Sequence, residues 1–350
     1  MAPGQPARPA RWAGSGLAVA AGMTVAACAA SVPNLIASGP GAPAASPGAS
    51  AGAHRATASG PPAPLTDLPT ASAAAARQRA IALALSGSDP HGLTGADVVY
   101  QEFAAPVRYI AVFQSRQATG VGPLTGTQPT DGQALSVLRP LFGYDGGTRV
   151  FEKVLDHTSV TDVGFGTRPS LYARAPHGVT ASTSAVLRAG HGSGAPPQIF
   201  YFRGAATGRS ALATVGLSRP SAARVKIPGY GTESWAFDSH TGLWALTGGG
   251  PRVRVANVVV QTVPYKHAVV GHHAGTTVLI ARIIGKGPVE VLSGRAGDSG
   301  MAAAGTWSKP HLKQLTNYYD NNGYPMAFQP GATWVILAPK GTRVSTSAGQ

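Results

Sequence analysis

Cysteine is almost missing from this chain. A single residue, Cys28, stands among 350, which excludes an intrachain disulfide framework and a cysteine-rich zinc site. Acid is scarce too. Fourteen Asp and Glu oppose 28 Lys and Arg, for a formal charge of +14. Charged residues of both signs make up only 12%, roughly half the usual share. No apolar run is convincing as the ~20-residue span a transmembrane helix needs. The 46 glycines follow no three-residue period, so collagen is excluded. No run of Lys and Arg and no basic helix stands out, so nucleic acid is not an expected partner.

The N-terminus carries a pattern that bears on location. Arg8 and Arg11 form a positive start, and Trp12 to Ala27 is uncharged and built of small and aliphatic residues. That pattern is a secretory signal over 1–27. It ends in Val25-Ala26-Ala27-Cys28, which resembles a bacterial lipobox. Cleavage there leaves Cys28 as a lipidated N-terminus, and two or more acyl chains anchor stably where one does not. An ordinary signal peptide with a chance Cys is the plainer alternative. Residues 28–64 follow as a tether rich in Ala, Pro, Ser and Gly, too poor in apolar groups to fold. The mature chain keeps a charge of +12 once Arg8 and Arg11 leave. The expected location is therefore the outer face of the cytoplasmic membrane. Expected partners are the outer leaflet, through the lipid, and an anionic envelope polymer or a membrane protein.

Beyond the tether the pattern divides. An α/β half over 65–205 precedes a mostly β half over 206–345, for an α+β fold overall. Ala80 to Leu85, Ala96 to Phe103 and Arg108 to Gln114 read as strands. Leu135, Leu138, Leu141 and Phe142 suggest one helix over 133–142. Val150, Phe151, Val154 and Leu155 suggest a second, and Ala181 to Arg188 a third. Ile199 to Phe202 returns to strand. After about residue 205 the strand signals are 224–227, 234–237, 243–246, 255–263, 277–284, 289–292, 326–329 and 333–337, with turns at Ser239–Gly242 and Asn321–Gly323.

Motifs with catalytic flavour are thin. Gly297-Asp298-Ser299-Gly300 looks like the nucleophile segment of trypsin-like proteases, and Ala189-Gly190-His191-Gly192 like their His segment. A triad needs a base and an orienting acid, and a Gly/Asp hairpin turn explains the first motif as well. His267, His272 and His273 form a cluster without a nearby Asp, Glu or Cys to complete a zinc site, so loop histidines are expected and no metal is assigned. Gly146-Gly147 and Gly248-Gly249-Gly250 lack dinucleotide spacing and read as loops. No cofactor is expected. Asp97 and Glu102 fall on opposite faces of one strand and would not act as a pair.

An ordered set of segments carries a family resemblance. It runs through Pro64-Leu65-Thr66-Asp67-Leu68-Pro69, Gly92-Leu93-Thr94-Gly95-Ala96-Asp97-Val98-Val99-Tyr100, Arg108 to Phe113 with Val121-Gly122-Pro123, Ala175-Pro176-His177, Asn257 to Gln261, Thr306-Trp307-Ser308-Lys309 and Pro330 to Trp334. The chain resembles the YerB-like bacterial lipoproteins, a two-part domain of unknown function numbered 3048. The departures are polar. The resemblance implies Glu where Gln101 stands, two Arg in the stretch Leu124 to Gln128, and His where Tyr144 stands. A guanidinium pair is a natural anion clamp, so their loss implies an altered or lost family site. Arg108, Tyr172, Arg174 and His177 remain in matched or adjacent segments. They are the candidates for binding an anionic envelope molecule, against a structural role for each. The expected function is a non-catalytic binding or scaffolding lipoprotein. The alternative is an envelope hydrolase using His177 or Ser299.

Overall fold

The computed structural model describes residues 60–190, 194–203, 218–269 and 277–348. The signal, Cys28 and most of the tether lie outside them, as does the expected boundary at residue 205. The first half carries β1 (Ile81–Ser86), β2 (Val98–Glu102), β3 (Arg108–Phe113), β4 (Leu141–Gly143), β5 (Thr161–Asp162), β6 (Tyr172–Ala175) and β7 (Gly178–Ala181). Its helices are short: α1 (Ala73–Ala76), α2 (Pro129–Leu135), α3 (Arg149–Leu155) and α4 (Thr183–Ala189). The second half contributes β8 (Ala222–Ile227), β9 (Gly231–Asp238), β10 (Leu243–Gly248), β11 (Arg254–Val255), β12 (Asn257–Thr262) and β13 (Tyr265–Val269). It continues with β14 (Thr277–Ala281), β15 (Gly285–Gly294), β16 (Gly300–Lys309), β17 (Asn317–Asp320), β18 (Thr333–Ala338) and β19 (Arg343–Ser347). The fold is α+β, with the described helices all in the first half.

One ten-stranded sheet takes strands from both halves, in the order β17-β16-β15-β12-β18-β2-β3-β1-β4-β5. The junction is the parallel pair β18 and β2, with Thr333 opposite Val98 and Leu337 opposite Glu102. β12 lies parallel on the other side of β18. A smaller sheet, β11-β10-β9-β8-β19, is built from the second half alone.

Strict alternation gives the large sheet two buried faces. Ile81, Leu83, Leu85, Tyr109, Ala111, Val258, Trp334 and Ile336 pack with Val225, Trp235, Trp244 and Leu246 of the small sheet. Their neighbours Ala82, Ala84, Ile110, Val112, Val259, Val335 and Leu337 pack with Leu135 of α2 and Leu155 of α3. Near-continuous apolar runs such as Ile81 to Leu85 and Thr333 to Ala338 follow from burial on both sides.

Several expectations need correction. The helix expected over 133–142 is two elements. α2 begins earlier, at Pro129, where Gln128 N donates to Asp131 Oδ2 at 2.7 Å. Arg139 has a φ of 51° and Pro140 follows, so the chain leaves the helix and Leu141 and Phe142 enter β4. The three-residue leucine spacing therefore spans a helix end and a strand start. Ile199 to Phe202 and Met326 to Gln329 form no strands, only the bridge between Phe202 and Phe328. β16 carries Gly300-Met301-Ala302-Ala303-Ala304-Gly305, a weak strand sequence. Its ten-residue pairing with β15 decides its conformation. His267 sits on β13, not in a loop. The body also begins within the expected tether: Gly60 N donates to Thr70 O at 2.9 Å, and Ala63 is buried.

Trp334 ties the halves together. It is fully buried, lies 5.7 Å from the Tyr109 ring and 6.2 Å from the Trp235 ring, and donates from Nε1 to Gln101 Oε1 at 2.7 Å. Trp334→Ala is expected to lower stability by about 3–5 kcal/mol. Urea unfolding followed by fluorescence and circular dichroism should show one shifted transition. Two separated transitions would contradict a shared core.

Candidate functional site

The carboxyl ends of the parallel strands β2, β18 and β12 open at one edge of the large sheet, the place where open α/β sheets gather binding groups. β2 ends in Gln101-Glu102, and Phe103 to Val107 turn the chain back into β3. Because side chains alternate, Gln101 points toward the small sheet and Glu102 toward α2. Each meets a different charged partner, and a cavity of about 370 Å³ lies on each side of the turn, with Pro106 lining both.

On the α2 side, three charges are buried together. Arg108 stands opposite Glu102 in the β2–β3 ladder. Its Nη1 donates to Glu102 Oε2 at 2.8 Å and to Asp131 Oδ1 at 3.2 Å; Nη2 donates to Asp131 Oδ2 at 3.1 Å and Gly126 O at 2.7 Å. Four of the five guanidinium donors are thus engaged, while Nε has no hydrogen-bond partner. Glu102 Oε1 also accepts from Thr130 Oγ1 at 2.6 Å and from Ala281 N at 2.9 Å. Burial pushes the Glu102 carboxyl up, and Arg108 pulls it back. Burial acts to lower Arg108, but the two carboxylates win and hold it protonated. The adjoining cavity is walled by Arg108, Thr125, Gln128, His267 and residues of β14.

On the small-sheet side, Glu233 of β9 is 2% exposed. Its Oε1 accepts from Gln101 Nε2, whose amide oxygen holds Trp334. Its Oε2 has no hydrogen-bond partner. The Trp235 indole nitrogen approaches and lowers the carboxyl somewhat, but falls outside hydrogen-bond geometry. Burial is the larger influence and pushes Glu233 up to about 7. The cavity here is walled by Gln101, Phe103, Tyr109, Tyr230, Glu233 and the Gly249-Gly250 turn. Gly249 has a φ of +88°, and a Cβ there would meet Thr232 O at 2.5 Å, so glycine is required beside the acid.

Two family models match the chain. A protein of unknown function, DUF3048, matches residues 65–194 with its N-terminal domain and 225–335 with its C-terminal domain, more than half of the sequence together. The chain is a DUF3048 protein. The crystal structure of YerB protein from Bacillus subtilis is similar, with a TM-score of 0.63 over 81% of this chain and 99% of that one, at 17% identity. That likeness shows the fold. A comparison with curated proteins finds no match.

Within this DUF3048 protein, only one of the four expected ligand residues reaches the cavities just described. Arg108 does, already engaged by two acids. Tyr172, Arg174 and His177 belong to the β6–β7 hairpin. Tyr172 Oη donates to Val163 O. Arg174 lies exposed over the Phe165 ring at 4.9 Å, and His177 is exposed in the hairpin turn. Ser299 lies in the turn joining β15 and β16, so Gly297 to Gly300 is a hairpin turn. His191, His272 and His273 fall outside the described residues. Asp97 accepts from Gln114 N at 2.6 Å and Ser115 N at 2.7 Å, away from the partners of Glu102. Glu233 escaped sequence reasoning. Its signal was there: in β9 it shares a face with Trp235, two residues on, so an acid sits in the inward register of an amphipathic strand.

Arg108→Met would leave Glu102 and Asp131 buried without their cation. A loss of about 3–5 kcal/mol is expected, greater at neutral than at acid pH because burial already pushes the Glu102 carboxyl up and Arg108 would no longer pull it back. Chemical denaturation at two pH values measures it.

Glu233 acts in the opposite sense. Its folded value lies above its ordinary 4.5, so its contribution is full below that value and fades as pH rises through about 7. The difference amounts to about 3 kcal/mol. Glu233→Gln should remove this part of the pH dependence, and an unchanged stability profile between pH 4.5 and 8 would contradict it.

Proposed function

We propose that this DUF3048 protein is a membrane-anchored extracytoplasmic lipoprotein of the bacterial envelope that binds a molecule there and does not transform it. The observation that carries the binding reading is the pair of cavities at the carboxyl end of the central strands. Each is within the ~300–1,000 Å³ range of small-ligand pockets. Each has one buried charged side chain in its wall, Arg108 in one and Glu233 in the other, held by hydrogen bonds beside apolar residues. The anchor rests on Val25-Ala26-Ala27-Cys28 and the tether composition. The basic charge of the chain suits an anionic envelope surface. His177 and Ser299, the hydrolase candidates, occupy turns of the β6–β7 and β15–β16 hairpins, and neither lines either cavity.

Membrane partitioning tests the anchor. Cys28→Ser is expected to move the protein from the membrane fraction to the soluble extracytoplasmic fraction, and unchanged partitioning overturns lipidation. Incubation of the purified protein with wall glycan and peptide fragments tests the rest. Retention of a fragment without turnover is expected, and turnover overturns the non-catalytic reading.

A further inference from the structure

The two cavities differ in what their charges still lack. Arg108 is surrounded by two carboxylates, a carbonyl and little else to offer an incoming anion. Glu233 is different. It is buried, one oxygen has an amide partner, and the other has none. A buried acceptor without a donor costs free energy that a ligand donor can recover. The lining holds no Lys, Arg or His, so the acid's charge is not compensated there. Three aromatic side chains complete the wall, with the Phe103 and Tyr230 rings 5.1 Å apart and tilted by 57°. A carboxylate facing aromatic rings is the chemistry that selects cations. An anion would be repelled, and a purely apolar occupant would leave the acid without a counter-charge.

We propose that the cavity between the end of β2 and β9 binds a small organic ammonium ion, which pairs with the Glu233 carboxylate and lies against Phe103, Tyr109 and Tyr230. This deepens the binding reading above by giving one cavity a ligand class. The polar groups facing the acid are Gln101 from β2, Trp235 from β9 itself and the phenol of Tyr109 from β3. Neither Gln101 nor Trp235 ionises in the working range, and Tyr109 is pushed above its ordinary 10. Glu233 alone therefore sets the pH response. The bound ammonium favours its ionised form, so uptake near neutral pH releases a proton.

The probe is n-butylammonium, added to the full-length chain in detergent, with n-butanol and butyrate as neutral and anionic controls. Calorimetry should show saturable binding of n-butylammonium at pH 8. At pH 5.5 the ionised fraction of Glu233 falls from about 0.9 to about 0.03, so affinity should drop about 30-fold. At pH 7, heats measured in buffers of different ionisation enthalpy should differ by the released proton, a readout that needs no variant. Glu233→Gln, with its fold checked by circular dichroism, should weaken binding at least tenfold at pH 8. No saturable binding of n-butylammonium at pH 8, equal or tighter binding of n-butanol or butyrate, or affinity unchanged by pH overturns the assignment. Those outcomes leave the wider binding reading intact, because that reading is tested separately by wall fragments and falls when none is retained or when one is turned over.

Discussion

The parallel pairing of β2 with β18 is the constraint on which the rest depends. It joins strands more than 200 residues apart and places the last residues of β2 beside the second half of the chain. From there the two-residue period of a strand does the sorting. Gln101 goes to one face, where it meets Trp334 and Glu233. Glu102 goes to the other, where it meets Arg108, Thr130 and Asp131. A register slip of one residue would exchange these partners and bury every charge against the wrong neighbour.

The two faces handle burial in different ways. On the α2 face, charge is compensated inside the protein. Removing a carboxylate or guanidinium from water costs several kcal/mol each, and only close pairing with extra hydrogen bonds offsets it. The four engaged donors of Arg108 and the added bonds from Thr130 and Ala281 supply that pairing. Their effect is positional: they fix α2 and the end of β14 on the sheet. On the small-sheet face, a single acid is only half satisfied, and its elevated proton affinity is the consequence. The first arrangement is closed, whereas the second has an acceptor to spare beside a cavity.

The family resemblance gains a physical meaning in this frame. Four of its seven segments reach the central strands: Val98 to Tyr100 in β2, Arg108 to Phe113 in β3, Asn257 to Gln261 in β12 and Thr333 to Trp334 in β18. They are the residues buried on both faces, so their match carries the fold. Gln101 stands where the resemblance implies an acid, yet an acid is present next to it, supplied by β9. An amide at 101 satisfies both Glu233 and Trp334, whereas a second carboxyl there would face Glu233 with like charge.

Much of the architecture was legible in the residues. The strand segments over 80–85, 96–103, 108–114, 255–263 and 333–337 are rich in apolar and β-branched residues because most of their side chains are covered on both faces, and short-range pattern is enough to find them. The stripe of Val150, Phe151, Val154 and Leu155 likewise announces α3. The α2–β4 region misled because leucine spacing is the same whether one helix or a helix and a strand carry it; only Arg139 and Pro140 break it. β16 was hidden because alanine and glycine take their conformation from a partner strand. The site was less legible still. Arg108 was found through its segment, but its saturation by Glu102 and Asp131 depends on α2 folding back onto β3. Glu233 was one acid among 14 until β9 crossed the sheet over Gln101. The sequence by itself determined the fold class and which strands are doubly buried, since these follow from composition and local period. Which charges are compensated and which one is left facing a cavity was decided only by the tertiary structure, because burial and pairing are properties of residues brought together from distant parts of the chain.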